Sequence, residues 1–231
     1  MLNNIDAIGV SETWLTPSIS DSYVSIPNFD IVRNDSPDGV RKHGVALYIK
    51  NSLRYTCVDC PVKNCVVVYL LHYNVYLITV YRPPSYNDSE NGNLFEFIFS
   101  FCNVKEVILQ GDFNLPTLMW ETSIEEYISV TDKLFNDLFI ALGLTQIISL
   151  PTIFPSGNIL DLILLSHDDR IGKYEVLPPL PNCAHCSVSF SYIIQDGFLS
   201  NNLFNSPMNI WNKGNYYLFG RHLDEIDWIH V

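Results

Sequence analysis

A two-sheet α/β sandwich flanked by helices is the fold class this sequence predicts, on three observations. Short β-branched and aromatic runs recur in both halves of the 231 residues, with helix-patterned segments between them. Turn residues punctuate those runs at short intervals. Hydrophobic residues make up 48% and charged residues only 16%, so the chain can bury a real core and is not disordered throughout.

Ile5 to Val10 reads as a short buried strand ending at Ser11-Glu12. Thr16 to Asn28 is loop-like, with Pro17 and Pro27, and Phe29 to Arg33 is a second strand. Asn34 to Gly44 carries Asp, Pro, Gly and charges and reads as an exposed loop. Val45–Lys50, Arg54–Val58, Val66–His72 and Val75–Tyr81 follow as strands, whose short connections suggest an antiparallel meander. Pro83-Pro84 stops the last of them. Leu94 to Phe101 is helical, with Asn and Ser residues before it as caps, and Glu106 to Gln110 is a strand ending at Gly111-Asp112. Asp132 to Leu142 has helical spacing, with Gly143 placed as its stop. Thr145–Ser149, Ile159–Leu165 and His185–Ile194 are later strands. After Gln195 the pattern fades into Asn, Ser and Phe, with one further helix over Gly214–Ile226. The domain is therefore set at 1–195 and a tail at 196–231.

Several function classes are disfavoured at this level. The apolar region Cys65–Tyr81 is interrupted by His72 and Asn74, which fits two strands and a tight turn better than a membrane span. The N-terminus lacks the basic and apolar regions of a secretory signal, so secretion is not expected. Cys57/Cys60 and Cys183/Cys186 form two C-x-x-C pairs among six cysteines, but they lie too far apart for a compact zinc module; buried thiols in a reducing compartment fit better. A net charge of −12 is awkward for a nucleic-acid protein, although Arg33, Arg41, Lys42, Lys50 and Arg54 lie close enough in sequence to form a local basic patch.

The chemistry-bearing residues stand at strand ends. Glu12 follows one apolar run, Asp112 with Asn114 follows another, and Asp161 sits between Leu160 and Leu162. A buried carboxylate such as Asp161 requires a cation, a donor or water. Converging carboxylates repel one another and favour a divalent ion, and oxygen ligands suit Mg²⁺. Such an ion polarises a phosphoryl oxygen. Asn114 can hold a phosphate oxygen or an attacking water, and His185 can act as general base near neutral pH. Taken singly, each is an ordinary turn or strand-end residue.

Taken in order, they resemble the endonuclease/exonuclease/phosphatase family. The likeness is to the endonuclease domain of non-LTR retrotransposons, related to apurinic-site endonucleases. Ser11-Glu12-Thr13-Trp14-Leu15, Tyr81-Arg82-Pro83-Pro84-Ser85, Gly111-Asp112-Phe113-Asn114-Leu115-Pro116 and Ile159-Leu160-Asp161-Leu162-Ile163 carry it, and Trp120 falls where such domains often place a Trp. It spans residues 5–194 and extends weakly into Asn212–Trp228. The resemblance implies a four-layer α/β/β/α sandwich, Mg²⁺ (or Mn²⁺) as cofactor, DNA as partner, and nicking of a phosphodiester by water. It implies that Glu12 binds metal, that Tyr81 bonds the scissile phosphate and that Arg82 lies close to DNA. Asp112 then orients or activates the water, Asn114 holds the phosphate or the transition state, Asp161 helps position the catalytic histidine or the metal, and His185 is that histidine. A nuclear location is expected from that role.

Two departures follow from the same comparison. The family's first strand, bearing an Asn near the metal, has no counterpart before Glu12, so the sandwich is expected to lack it. The family's closing Asp-His is here Ala184-His185, removing a carboxylate beside the imidazole. Activity is therefore expected to be weakened or lost. The rival readings are a non-catalytic retrotransposon remnant that binds nucleic acid or protein, and a phosphatase or phosphodiesterase acting on a small phosphorylated substrate.

Overall fold

Strand pairing in this protein is organised around one long sheet. The structure, a computed structural model, describes residues 4–37, 42–101, 104, 106–118 and 129–194. The tail 196–231, Trp120 and Arg41 lie outside the described residues. In chain order the elements are β1 (Ala7–Ser11), β2 (Phe29–Asn34), β3 (Val45–Lys50), β4 (Tyr55–Val58), β5 (Cys65–Leu70), β6 (Val75–Tyr81), α1 (Asp88–Phe99), β7 (Val107–Asp112), α2 (Val130–Leu142), β8 (Thr145–Gln146), β9 (Asp161–Leu165), β10 (Ile171–Pro179) and β11 (Cys186–Tyr192).

A six-stranded sheet runs β4-β5-β6-β7-β9-β8. It is antiparallel except for β6 and β7, which are parallel because α1 carries the chain back between them. Side chains alternate across its two faces. On one face Val67, Ile78, Val80, Leu109, Leu162 and Leu164 pack with Leu94, Phe95 and Ile98 of α1 and Phe135 and Leu138 of α2. On the other, Val66, Val68, Leu77, Ile108, Ile163 and Leu165 meet Ala7, Leu47 and Ile49, together with Phe190 and Tyr192. The second β layer is therefore made of two small sheets, β1-β3-β2 and the hairpin β10-β11. The outer face of β1-β3-β2 is covered by the loop around a 3-10 turn at Asp21–Tyr23, where the Tyr48 hydroxyl donates to the Val24 carbonyl at 2.8 Å. This is the α/β sandwich expected from the sequence.

Local chemistry accounts for the element ends. α1 begins at Asp88, six residues before the expected Leu94. Asn87 and Glu90 form a reciprocal capping box there, which supplies a start that apolar spacing alone does not mark. α2 is capped by Ser129 and stops at Gly143, which is left-handed at φ 61°. Asn74 takes φ 54° in the turn between β5 and β6, as the tight turn at His72–Asn74 requires.

Three expectations are corrected. β3 is not part of a meander with β4–β6: it is the central strand between β1 and β2 and is buried on both faces. β8 is two residues long because the Gln146 side chain donates to the Ile148 carbonyl at 2.7 Å and accepts from its amide, replacing ladder bonds. β10 has no counterpart among the expected strands, since Gly172, Pro178 and Pro179 weaken the strand pattern; pairing with β11 forms it nonetheless.

Candidate active site

Register alone brings three of the named residues to one end of the long sheet. Tyr81 pairs with Asp112 across the parallel β6/β7 ladder, and Asp112 pairs with Asp161 across β7/β9. Just before Asp112, Gly111 has φ 142°, and a Cβ there would lie 1.8 Å from the Val80 carbonyl oxygen, so only glycine permits this approach. Past Asp112 the chain turns through Asn114, at φ 47°. The Asn114 amide N–H donates to Asp112 Oδ1 at 3.0 Å, and its side-chain Nδ2 donates to Asp112 Oδ2 at 2.9 Å and to the Arg82 carbonyl at 3.2 Å. With both side-chain amide hydrogens engaged, what Asn114 offers a substrate is its Oδ1 acceptor. An acceptor suits the proton of an attacking water rather than a phosphate oxygen.

Asp161 and His185 complete the cluster. His185 Nδ1–H donates to Asp161 Oδ2 at 2.9 Å, while its Nε2 stands 3.9 Å from Asp112 Oδ2. The residue that holds Asp161 in place escaped sequence reading. Thr152 is fully buried, and its Oγ1 accepts from the amides of Leu160 and Asp161, both at 3.0 Å. Its carbonyl accepts from Cys186 N–H at 2.7 Å, and Ile153 bridges His185, so one short segment ties β9 to β11. The Pro151-Thr152 pair before the Asp161 strand was the only available signal.

Electrostatics modify two of the expected roles. Burial, then the charge of Asp161, pushes the Asp112 carboxyl up to about 7. The hydrogen bond to Asp161 raises His185 to about 9 against the opposing effect of burial. At neutral pH His185 is thus an imidazolium, a donor rather than the general base expected from its unperturbed range, and Asp112 is the group poised to take a proton.

Glu12 and Tyr81 form the other flank. The chain beyond β1 is pinned by Thr13 N–H to the Gly44 carbonyl at 3.1 Å and Trp14 N–H to that of His43 at 2.9 Å. Glu12 and Trp14 both take positive φ, 54° and 56°, conformations that side-chain-bearing residues rarely adopt. The Tyr81 hydroxyl donates to Glu12 Oε1. Burial, then that carboxylate, raises the Tyr81 phenol, which stays protonated. Asp112, Asp161 and His185 place ligand-capable atoms within 4.8 Å of one another, and Glu12 stands outside that group.

Arg82 departs from expectation. Its side chain is buried at 6% exposure, with Nε donating to Asn91 Oδ1 at 2.7 Å and Nη1 to the carbonyls of Phe113 and Asn114 at 3.1 and 3.0 Å. A guanidinium committed inward in this way is not placed to meet a phosphate. Within the candidate basic patch, Arg33 pairs with Asp21 and Asp35, and Lys50 pairs with Asp6. The two C-x-x-C pairs sit apart, on β4 and the loop after it and at the start of β11, and form no metal-binding group among the described residues. Ala184 is exposed, beside His185.

The chain is a mixed α/β sandwich with two carboxylates, an asparagine turn and an Asp–His pair at one sheet end, and it shares that fold with solved AP endonucleases. Within it, residues 75–186 match the family described as endonuclease-reverse transcriptase. Among solved structures, the chain is similar to the AP endonuclease LMAP from Leishmania major, with a TM-score of 0.65 and 13% identity over 80% of this chain and 77% of that one. The endonuclease domain of TRAS1, a telomere-specific non-LTR retrotransposon, matches with a TM-score of 0.57 and 17% identity over 74% of this chain and 81% of that one. The Xenopus laevis APE2 catalytic domain matches with a TM-score of 0.58 and 14% identity over 85% and 86%. No curated protein matches. Among the described residues no helix is long and apolar enough to cross a membrane.

Proposed function

We propose that the domain, set at residues 1–195, hydrolyses phosphodiester bonds in DNA with a divalent cation. It would be a nicking endonuclease of the non-LTR retrotransposon type, weakened by Ala184. The observation that carries this reading is the convergence of Asp112, Asp161 and His185 at one sheet end, with ligand-capable atoms within 4.8 Å. The donor set fits a hard cation: Asp112 is 2% exposed, and burial beside Asp161 disfavours its charge, a penalty that a cation relieves. Glu12, oriented by the Tyr81 hydroxyl, together with the oxygens of Asp112 and Asp161, would hold Mg²⁺ or Mn²⁺. When bound, the cation neutralises charge on the phosphoryl oxygens and the leaving oxygen.

The remaining work falls to the chain's own side chains. Asn114 Oδ1 accepts from the attacking water and fixes its direction. Asp112, bonded twice by Asn114 at the sheet end, is placed to take the water's proton. The His185 imidazolium, held by Asp161, donates from Nε2 to a phosphoryl oxygen as negative charge builds. Chromosomal DNA as substrate requires a nuclear location.

One observation favours a second reading. Arg33, Lys50 and Arg170 are paired to carboxylates and Arg82 is buried, so these cations are not displayed for a duplex. A small phosphorylated substrate would need fewer of them.

Conversion of supercoiled plasmid to open circle in Mg²⁺ or Mn²⁺ tests the proposal, beside a panel of phosphorylated lipids and nucleotides. Nicking that EDTA stops and that Asp112→Ala lowers by roughly 10³-fold supports it. Turnover confined to the small substrates selects the second reading. DNA binding that survives Asp112→Ala, with no turnover at all, leaves a non-catalytic remnant.

A further inference from the structure

We infer that Arg82 is a positioning residue, one that sets the conformation of the Asp112–Asn114 turn from behind and makes no contact with the nucleic acid. The inference rests on the nuclease reading above and adds a residue to its machinery. Four hydrogen bonds define the role. Arg82 N–H donates to the Asp112 carbonyl at 2.8 Å, and the Arg82 carbonyl accepts from Asn114 Nδ2 at 3.2 Å. Arg82 Nη1 donates to the carbonyls of Phe113 and Asn114. The residue thus grips the turn at its start, along its backbone and at its functional amide.

The guanidinium is itself fixed from the helix layer. Asn91 Oδ1 of α1 accepts from Nε at 2.7 Å, and Asn91 Nδ2 donates onward to the Tyr86 carbonyl at 3.3 Å. Asp132 of α2, nearly fully buried, contributes a favourable charge, and its Oδ2 accepts from Thr117 Oγ1 at 2.6 Å on the far side of the same turn. Asn114 holds φ 47°, a conformation that costs an asparagine little, and its side-chain bonds to Asp112 and to the Arg82 carbonyl need the backbone held from behind as well. Arg82 Nη1 holds both successive carbonyls while Nε is bound to Asn91, and a lysine ammonium, with a single nitrogen and no fixed plane, cannot keep both attachments.

The test compares the full chain with Arg82→Lys and with Asn91→Ala, which removes one of the guanidinium's hydrogen bonds and leaves the guanidinium in place. In plasmid nicking, Arg82→Lys is expected to lower kcat about tenfold or more while leaving KM for DNA unchanged. The slope of log affinity against log salt is expected to stay that of the parent. A cation touching phosphate would instead lose about one unit of slope on removal and raise KM. That pattern would overturn the inference.

A second readout does not depend on turnover. In protein labelled with ¹⁵N-asparagine, the Asn114 side-chain amide is expected to shift and to exchange faster in Arg82→Lys, and to move in the same direction in Asn91→Ala. An Asn114 amide unmoved in either folded variant overturns the inference. If the parent does not nick DNA, the nuclease reading fails by itself and the amide readout still decides the role of Arg82.

Discussion

The two sides of the carboxylate cluster are built differently. On the Asp112 side the turn is determined from every direction: Gly111 allows the close approach to Val80, Arg82 clamps the backbone, and Asn114 returns two hydrogen bonds to Asp112. On the His185 side the imidazole rests on Asp161 and on the segment held by Thr152, and its chain neighbour is Ala184. The first side is backbone architecture, and losing any part of it disturbs the fold. The second depends on individual side chains, so a carboxylate can be absent there with no strand displaced. The weakening proposed at Ala184 would therefore leave the scaffold in place.

The largest expected effect breaks the determined side. Gly111→Ala places a Cβ 1.8 Å from the Val80 carbonyl oxygen, and separating two paired strands should cost about 4 kcal/mol or more, read by urea unfolding. A loss under about 1 kcal/mol would show that this ladder yields easily. A smaller effect lies on the other side. Thr152→Val leaves the amides of Leu160 and Asp161 without their shared acceptor and is expected to cost about 2 kcal/mol. It should also loosen the Asp161–His185 pair, visible as a lower histidine pKa by NMR titration.

A third effect is the pH dependence of metal-free protein. Asp112 rises from 3.8 to about 7 on folding, so its contribution, full below the unfolded value, is lost as pH climbs to about 7. His185 rises from 6.5 to about 9, so the stability it adds below about 6.5 is lost as pH passes about 9. Melting temperature should therefore fall with rising pH in two windows, with Asp112→Asn flattening the lower and His185→Gln the upper. Identical slopes in parent and variants would contradict the assignment of either group.

Sequence and structure agree best where local chemistry decides. β3 and β6 have the expected limits, and Gly143 stops α2 as its type suggests. The order of Glu12, Asp112, Asp161 and His185 was readable because each ends or begins an apolar run. Pairing was less readable. β3 is apolar throughout and reads equally well as a member of either sheet; only packing assigns it to β1 and β2. β10, with a glycine and two prolines, is a strand because β11 lies beside it. The direction of a side chain was least readable. Arg82 follows a strand end just as a DNA-facing arginine would, and only the positions of Asn91 and the 113–114 carbonyls turn it inward. The shift of His185 out of the general-base range likewise depends on a 2.9 Å contact across 24 residues of chain.

The contrast between the two sides is tested most directly by restoring the missing charge. Nicking of supercoiled plasmid in Mg²⁺ would be measured for the parent and for Ala184→Asp, both shown to be folded. A carboxylate regained beside His185 is expected to raise the rate by about tenfold to 100-fold, because the opposite side of the site needs no repair. Equal rates, or two silent proteins, would contradict a scaffold intact at Asp112 and depleted at Ala184.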